Sequence, residues 1–273
     1  GTGTSTDPYK SLSHALLTHP GIGPGWIVMV AGNGLADPYT NSIVANSNAT
    51  EIFPITVPDG VRLVYWDILG LLPGARPASA VFLPGDSLSN TCFQFAGGNA
   101  TQPQGVSAYL QTTVTPWPDR NQGFEVHEFK KAFEIDDDSQ NIPHLDVMLD
   151  GVSTSECQQS LLLRKDSSGT YKVLVKRSVF RGPSGVVFQP SFPIVEVVFL
   201  NVDPLSRFSP VIEMRNCDLR PTGADLQSTM VTILNEGGSD DYLQVLIKNC
   251  HISCQPLVQP IPPKPAHKRQ KST

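Results

Sequence analysis

The tetrapeptide Gly-Asp-Ser-Leu at residues 85–88 is the stretch of this sequence that most suggests covalent chemistry. It follows a short apolar run at residues 80–83, which would place Ser87 just beyond a buried strand. A serine hydroxyl acts as a nucleophile when a base lies within hydrogen-bond reach and a carboxylate orients that base. The candidate bases are the six histidines: His14, His19, His127, His144, His251 and His267.

Residues 82–90 resemble the first block of the GDSL hydrolases, in which the serine is the nucleophile. That resemblance implies an Asp-x-x-His motif near the C-terminus, and none of the six histidines stands in such a motif. It also implies alternating strands and helices, which this sequence does not predict. We therefore interpret residues 84–87 as a turn and expect no enzymatic activity. A serine hydrolase using Ser87 is kept as the second alternative.

Two acidic clusters offer carboxylate oxygens of the kind that calcium prefers. One is the pair at residues 240–241, and the other is a triplet: Asp136, Asp137 and Asp138. Neither has the alternate spacing of a dedicated calcium loop, so we interpret both as solvated loops. The sequence predicts no metal ion and no cofactor, and it leaves open whether the triplet holds a cation.

The loop that contains Trp117 is the best candidate for a binding site. Trp117 stands between two prolines and is followed by Asp119, Arg120 and Asn121. An aromatic ring offers contact area at low entropic cost, and the neighbouring polar groups offer hydrogen bonds to a glycan or a protein. The alternative is that Trp117 anchors the loop to the core.

Five cysteines are too few for a disulfide scaffold, and the odd number leaves at least one free thiol. We therefore expect a protein made in a reducing compartment. Cys250, His251 and Cys254 offer metal ligands, but on a strand His251 would face away from the two cysteines. The structural interpretation of these three residues is favoured.

Composition indicates a folded, β-rich chain of 273 residues, with 40% apolar and 16% charged residues. The 22 glycines and 24 prolines are distributed along the chain, as expected for short strands joined by elaborate loops. We predict an all-β fold, an antiparallel sandwich or barrel with long loops and at most one or two short helices. Turn signals at residues 166–169 and 237–238 predict two hairpins.

Three segments are predicted. Residues 1–24 form an extended lead-in, residues 25–255 form the β-rich domain, and residues 256–273 form a Pro-rich basic tail that we expect to be flexible and dispensable for folding. The formal net charge is −5, and all four basic residues of the tail lie outside the domain. We therefore expect no specific nucleic-acid binding by the domain and, because no apolar run is long enough, no membrane insertion.

Residues 60–66, the Pro-Gly pair at 73–74 and residues 82–84 resemble a run in the protruding domain of calicivirus capsid proteins. Residues 105–110, 120–121 and 128–130 are similar to the segment that follows it in noroviruses. The spike domains of astrovirus capsids, similar in role and size, are a competing resemblance. Both imply a surface domain of a non-enveloped particle that is assembled in the host cytoplasm.

We therefore predict a viral capsid protrusion, or spike, at the virion surface. Its predicted partners are a second copy in a homodimer, a protein or glycan receptor on the host, neutralising antibodies and the capsid shell of the same chain. Residues Trp117, Asp119, Arg120 and Asn121 are the predicted receptor-binding residues. The first alternative is a lectin-like or adhesion module of cellular origin.

Overall fold

The computed structural model describes residues 9–35, 37–42, 51–66, 79–85, 91–95, 97, 102–108, 123–136, 144–165, 170–184, 192–200, 212–220, 229–235 and 245–252. These residues form one short helix and nineteen strands. In chain order the elements are α1 (Leu12–Thr18), β1 (Ile27–Ala31), β2 (Ile55–Val57), β3 (Arg62–Trp66), β4 (Ala80–Phe82), β5 (Thr91–Phe95), β6 (Gln104–Ala108), β7 (Phe124–His127), β8 (Lys131–Asp136), β9 (His144–Asp150), β10 (Val152–Ser155), β11 (Gln159–Lys165), β12 (Thr170–Lys176), β13 (Val179–Arg181), β14 (Val195–Phe199), β15 (Ile212–Arg215), β16 (Asp218–Arg220), β17 (Val231–Asn235), β18 (Val245–Lys248) and β19 (His251–Ile252).

The strands form three sheets that are parallel throughout. The first sheet has the order β1-β3-β6-β9-β12-β15-β18, the second β4-β7-β10-β13-β16-β19, and the third β2-β5-β8-β11-β14-β17. From β3 onward the chain visits the first, second and third sheets in turn and then returns to the first, one strand further along. The architecture is therefore a parallel β-solenoid, and each of its turns is called a rung below.

The predicted antiparallel sandwich or barrel is wrong, because every strand pair in the described residues is parallel. The physical reason lies in the alternation of apolar and polar residues along several strands, such as β7 and β15. Such alternation is typical of antiparallel sheets, which have one face on the core and one in water. In a solenoid each parallel sheet also has one face inside and one outside. The same pattern therefore arises with the opposite strand direction.

The two predicted hairpins are also wrong. β11 pairs with β8 and β14, whereas β12, which follows it in the chain, pairs with β9 and β15. β17 and β18 likewise belong to different sheets. Parallel neighbours need a connection of a dozen or more residues. Here two intervening strands provide that connection.

Residues in the left-handed conformation form the sharp corners between sheets. At the corner between the first and second sheets, Gly151, Arg177, Asn216 and Asn249 have φ values of 68°, 46°, 54° and 53° in successive rungs. Their amides continue the ladder, since the N–H groups of Gly151 and Arg177 donate to the carbonyls of Lys176 and Arg215 at 3.0 Å. One such residue turns the chain without leaving a backbone donor unpaired.

Aromatic rings fill the first rungs of the core. The rings of Phe93 and Phe133 are stacked with centroids 5.6 Å apart, and those of Phe82 and Phe124 are stacked at 6.0 Å. All four side chains are fully buried. Each contributes roughly 1.5–3 kcal/mol by leaving water, so this interior holds successive rungs in a fixed register.

Helix α1 packs on the first rung, with Leu12 and Ala15 buried. The carboxylate of Glu51 accepts hydrogen bonds from the Leu12 and Ser13 amides at 2.6 and 2.8 Å. The helix N-terminus is thereby tied to a residue that follows it by more than thirty positions. No helix among the described residues is long and apolar enough to cross a membrane.

Candidate functional site

Most residues predicted to act at a site lie outside the described residues. This is true of Trp117, Asp119, Arg120 and Asn121, which belong to the connection between β6 and β7. It is also true of Ser87, between β4 and β5, and of Asp137, Asp138 and the pair at residues 240–241. Their predicted roles therefore stay predictions.

Asp136 and the Cys250–His251 pair are described, and the structure assigns each a local partner. Asp136 ends β8, and its Oδ2 accepts a hydrogen bond from Nη1 of Arg164 at 3.3 Å. The Sγ of Cys250 lies 3.4 Å from the backbone nitrogen of Cys217. Nδ1 of His251 lies 3.1 Å from Oδ1 of Asp218. Within the described ranges, no three His, Cys, Asp or Glu side chains come together as metal ligands.

The outer face of the second sheet carries a cluster of Ser79, Glu125 and His127. The Ser79 hydroxyl donates to Oε1 of Glu125 at 2.7 Å, and Nε2 of His127 lies 3.3 Å from Oε2. The carboxylate thus lies between the hydroxyl and the imidazole. In a nucleophilic serine site the imidazole stands between the other two groups. This arrangement does not activate Ser79.

The pKa of Glu125 agrees with this interpretation. Burial alone would raise the pKa of the carboxyl, but the hydrogen bonds with His127 and Ser79 outweigh burial and hold it below its usual value. The carboxylate is therefore an ionised acceptor and not a proton donor at neutral pH. A general acid would need a raised pKa.

The described cysteines are buried thiols rather than nucleophiles, with Cys250 as the half-buried exception. Burial raises the pKa of both Cys157 and Cys217 to about 12. A thiol becomes reactive when its pKa is lowered towards neutrality, so Cys157 and Cys217 are suited to packing.

A second polar cluster on this sheet joins its last two strands. Asp218 accepts hydrogen bonds from Nη2 of Arg220 at 2.5 Å and from His251. Burial would raise the pKa of Asp218, but the contacts with Arg220 and His251 outweigh burial and lower it. The cluster links β16 to β19 and holds its carboxylate ionised.

The outer face of the first sheet carries three cations in register, which we call the basic column: Lys176, Arg215 and Lys248. They occupy neighbouring strands, and the strands of a sheet lie about 4.8 Å apart. Val175 and Met214, which precede two of them, are buried in the core, so the cations point outward. The column therefore forms a straight row of positive charge along the solenoid.

The column is only partly neutralised. Nε of Arg215 donates to Glu213 at 2.6 Å, and this bond lowers the pKa of the Glu213 carboxyl. Neither Lys176 nor Lys248 makes an ion pair with any residue that the structure describes. On a chain of net charge −5, this face presents two lysine ammonium groups to solvent.

The corner residues beside the basic column extend its polar surface. Asn216 and Asn249 follow Arg215 and Lys248 directly and are exposed. Arg177 follows Lys176, and its guanidinium holds Asp150 through two hydrogen bonds of 2.8 and 2.7 Å. Asparagine side chains that can donate and accept hydrogen bonds therefore lie beside the basic column.

Sequence reasoning missed the basic column because its members lie far apart in the chain. A signal was nevertheless present as an internal repeat. Residues 175–178, 214–217 and 247–250 each read as an apolar residue, a cation, a turn residue, and Ser or Cys. Aligning these three segments would have placed the cations on equivalent positions.

No known protein family, no curated protein and no solved structure matches this chain. Its function is therefore inferred from the geometry of the described residues.

Proposed function

We propose that this protein is a non-catalytic attachment module, a rigid solenoid that binds a receptor on a host or target surface. The observation that supports it best is the register of side chains on the outer face of the first sheet. Parallel pairing continues from β1 to β18, so equivalent side chains repeat at the strand spacing along one flat face. Such an array suits an extended ligand held at several points.

The polar clusters support binding over catalysis. Ser79, Glu125 and His127 lack the order of a nucleophilic site, and the carboxylates of Glu125 and Asp218 have lowered pKa values. Ser87, the candidate nucleophile of the hydrolase alternative, lies outside the described residues, so its role stays a prediction. A binding module needs only fixed donors and charges on a stable scaffold.

The setting we propose is the surface of a non-enveloped virus particle, with the chain as its spike or protrusion. A cellular adhesion module is the alternative, and the same geometry serves both. A spike of this kind is present in many copies, which makes weak contacts effective. The predicted loop residues Trp117, Asp119, Arg120 and Asn121 are proposed as a second contact region, since they join the first and second sheets.

The test is cell binding by a multivalent carrier that displays the protein, with the bare carrier as control. We expect binding to permissive cells that is lost when soluble protein is added in excess. Carriers that display the Trp117→Ala variant measure how much this loop contributes to cell binding. If the fully loaded carrier binds no cell type offered, attachment is the wrong function and a structural role in a shell replaces it.

A homodimer is proposed through the last rung. Three isoleucines of this rung, Ile233, Ile247 and Ile252, are 40%, 38% and 42% exposed. Their register partners one rung earlier are Val197, Met214 and Leu219, which are almost fully buried. A second copy related by a two-fold axis would cover the same isoleucines on both partners.

Light scattering tests the dimer. We expect a dimeric mass for the full chain and a monomeric mass for Ile247→Glu, while Leu17→Glu, at a 74% exposed site in α1, stays dimeric. A monomeric full chain would refute the dimer. If a chain truncated after Ile252 dimerises and the full chain does not, residues 253–273 cover this rung instead.

A further inference from the structure

We infer that the basic column is a binding site for an anionic linear polysaccharide whose successive sugars carry carboxylate or sulfate groups. The inference rests on the proposed attachment function and specifies the class of its ligand. It is carried by the in-register row of Lys176, Arg215 and Lys248 on one outer face.

The row is unfavourable for folding by itself. Like charges directly opposite each other on neighbouring strands repel. A lysine on an edge strand also protects that edge from aggregation, which would explain Lys248 on β18. It does not explain Lys176, because β12 is an interior strand between β9 and β15. A ligand that neutralises the row explains both lysines.

The carboxylates that face the column do not cancel it. Asp150, the register partner of Lys176 on β9, is held by Arg177. Glu213 is held mainly by the hydrogen bond with Arg215, and Lys248 and Lys172 attract it more weakly. Asp146, further along β9, is in register with Lys172. Each carboxylate thus has its own cation nearby, and the ammonium groups of Lys176 and Lys248 remain for a ligand.

The geometry of the row favours a linear polymer over a small anion. Charges on three neighbouring strands cover about 10 Å along the solenoid, a distance comparable to two sugar rings in an extended chain. A single carboxylate or sulfate could contact only one or two of the cations. A polymer with regularly spaced anions contacts all three, and each contact adds to the affinity.

The surroundings of the column favour a polysaccharide over a nucleic acid. Single-stranded nucleic acids bind by stacking their bases on aromatic rings. The outer-face row beside the column on the same strands consists of Leu174, Glu213 and Leu246, and its two leucines are half-buried and aliphatic. They can pack against the C–H faces of sugar rings.

The experiment measures binding of the full-length protein to polygalacturonate, which carries carboxylates, and to heparin, which carries mainly sulfates. Neutral dextran and single-stranded oligothymidine serve as comparison ligands. The double variant Lys176→Gln/Lys248→Gln tests the column. Lys10→Gln/Lys130→Gln is the charge-matched control, because both lysines are exposed and lie outside the first sheet. Thermal unfolding verifies that each variant is folded.

We expect at least one anionic polysaccharide to bind, with an affinity that falls as salt rises. The column variant should lower that affinity about tenfold, and the control should leave it unchanged. If the column variant and the control variant bound the polysaccharide with equal affinity, the basic column would not be the binding site. Binding to oligothymidine through the column, stronger than to either polysaccharide, would overturn the ligand class. Cell attachment without binding of any anionic polysaccharide would refute this inference and leave the proposed function standing.

Discussion

Arg177 and Asp150 form a bidentate ion pair between neighbouring rungs, at the corner where the chain passes from the first sheet to the second. Nε and Nη2 of Arg177 lie 2.8 and 2.7 Å from the two carboxylate oxygens of Asp150. The side chain of Asp150 is only 10% exposed. Arg177 is also the left-handed residue of its corner, with a φ of 46°. One residue therefore turns the chain and satisfies a nearly buried carboxylate.

Replacing Arg177 with Asn should separate these two roles. Asn tolerates the left-handed conformation and occupies the same corner position at Asn216 and Asn249, so the turn should persist. The carboxylate of Asp150 would lose its partner, and we expect the free energy of unfolding to fall by about 1–3 kcal/mol. A double-mutant cycle with Arg177→Asn and Asp150→Asn, followed by urea unfolding, measures the coupling energy between the two side chains. If the two single substitutions changed the free energy of unfolding in a strictly additive way, the coupling between Arg177 and Asp150 would be absent.

Gly105 on β6 cannot be replaced by a larger residue. Its φ is +150°, and a Cβ atom built on it would lie 2.0 Å from the carbonyl oxygen of Met148 on the next strand. Because that obstacle is backbone, Gly105→Ala should lower the free energy of unfolding by roughly 2–4 kcal/mol or prevent folding. Gly23→Ala is the control, since its Cβ would meet only one atom, at 3.9 Å. Equal stability of both variants would show that β6 can shift.

Several strands of this fold can be predicted from sequence. The apolar runs at 26–31, 80–83, 194–200 and 211–215 contain β1, β4, β14 and β15, and the described part of the run at 61–72 contains β3. Strand direction could not be predicted, because a half-buried strand has the same alternation in parallel and antiparallel sheets. The connections were also predicted wrongly, because residues 166–169 link β11 and β12, which belong to two different sheets and do not pair with each other.

The candidate site was less predictable than the strands. Cations at Lys176, Arg215 and Lys248 meet only because each rung returns the chain to the first sheet. A search for local motifs gives priority to contiguous residues such as those around Ser87 and Trp117. The repeated turn segments were visible in the sequence, but their meaning depends on the solenoid. Long-range register, rather than local composition, creates the column.

Stability should fall in acid, partly through Glu125. Its pKa lies below the ordinary value of 4.5 in the folded protein, so the unfolded chain takes up the proton first as the pH falls. The stabilisation is complete above the unfolded pKa and is lost as the pH falls through the folded one. We expect Glu125→Gln to be less stable than the wild type at neutral pH, and we expect this difference to shrink as the pH falls below the ordinary pKa of a glutamate. A difference that does not vary with pH, measured by urea unfolding, would exclude this contribution.

Removing the two lysines of the basic column should stabilise the protein. In Lys176→Gln/Lys248→Gln, Arg215 would no longer stand between two like charges, and its bond to Glu213 would be retained. We expect Tm to rise by about 1–3 °C at low salt, and the gain to shrink at high salt because salt screens exposed charges. The charge-matched control Lys10→Gln/Lys130→Gln should show a smaller change, since neither lysine is in the column. Thermal unfolding of the three proteins at two salt concentrations measures the effect. A lower Tm for the column variant would mean that these lysines stabilise the fold, and the repulsion that favours a ligand would then be absent.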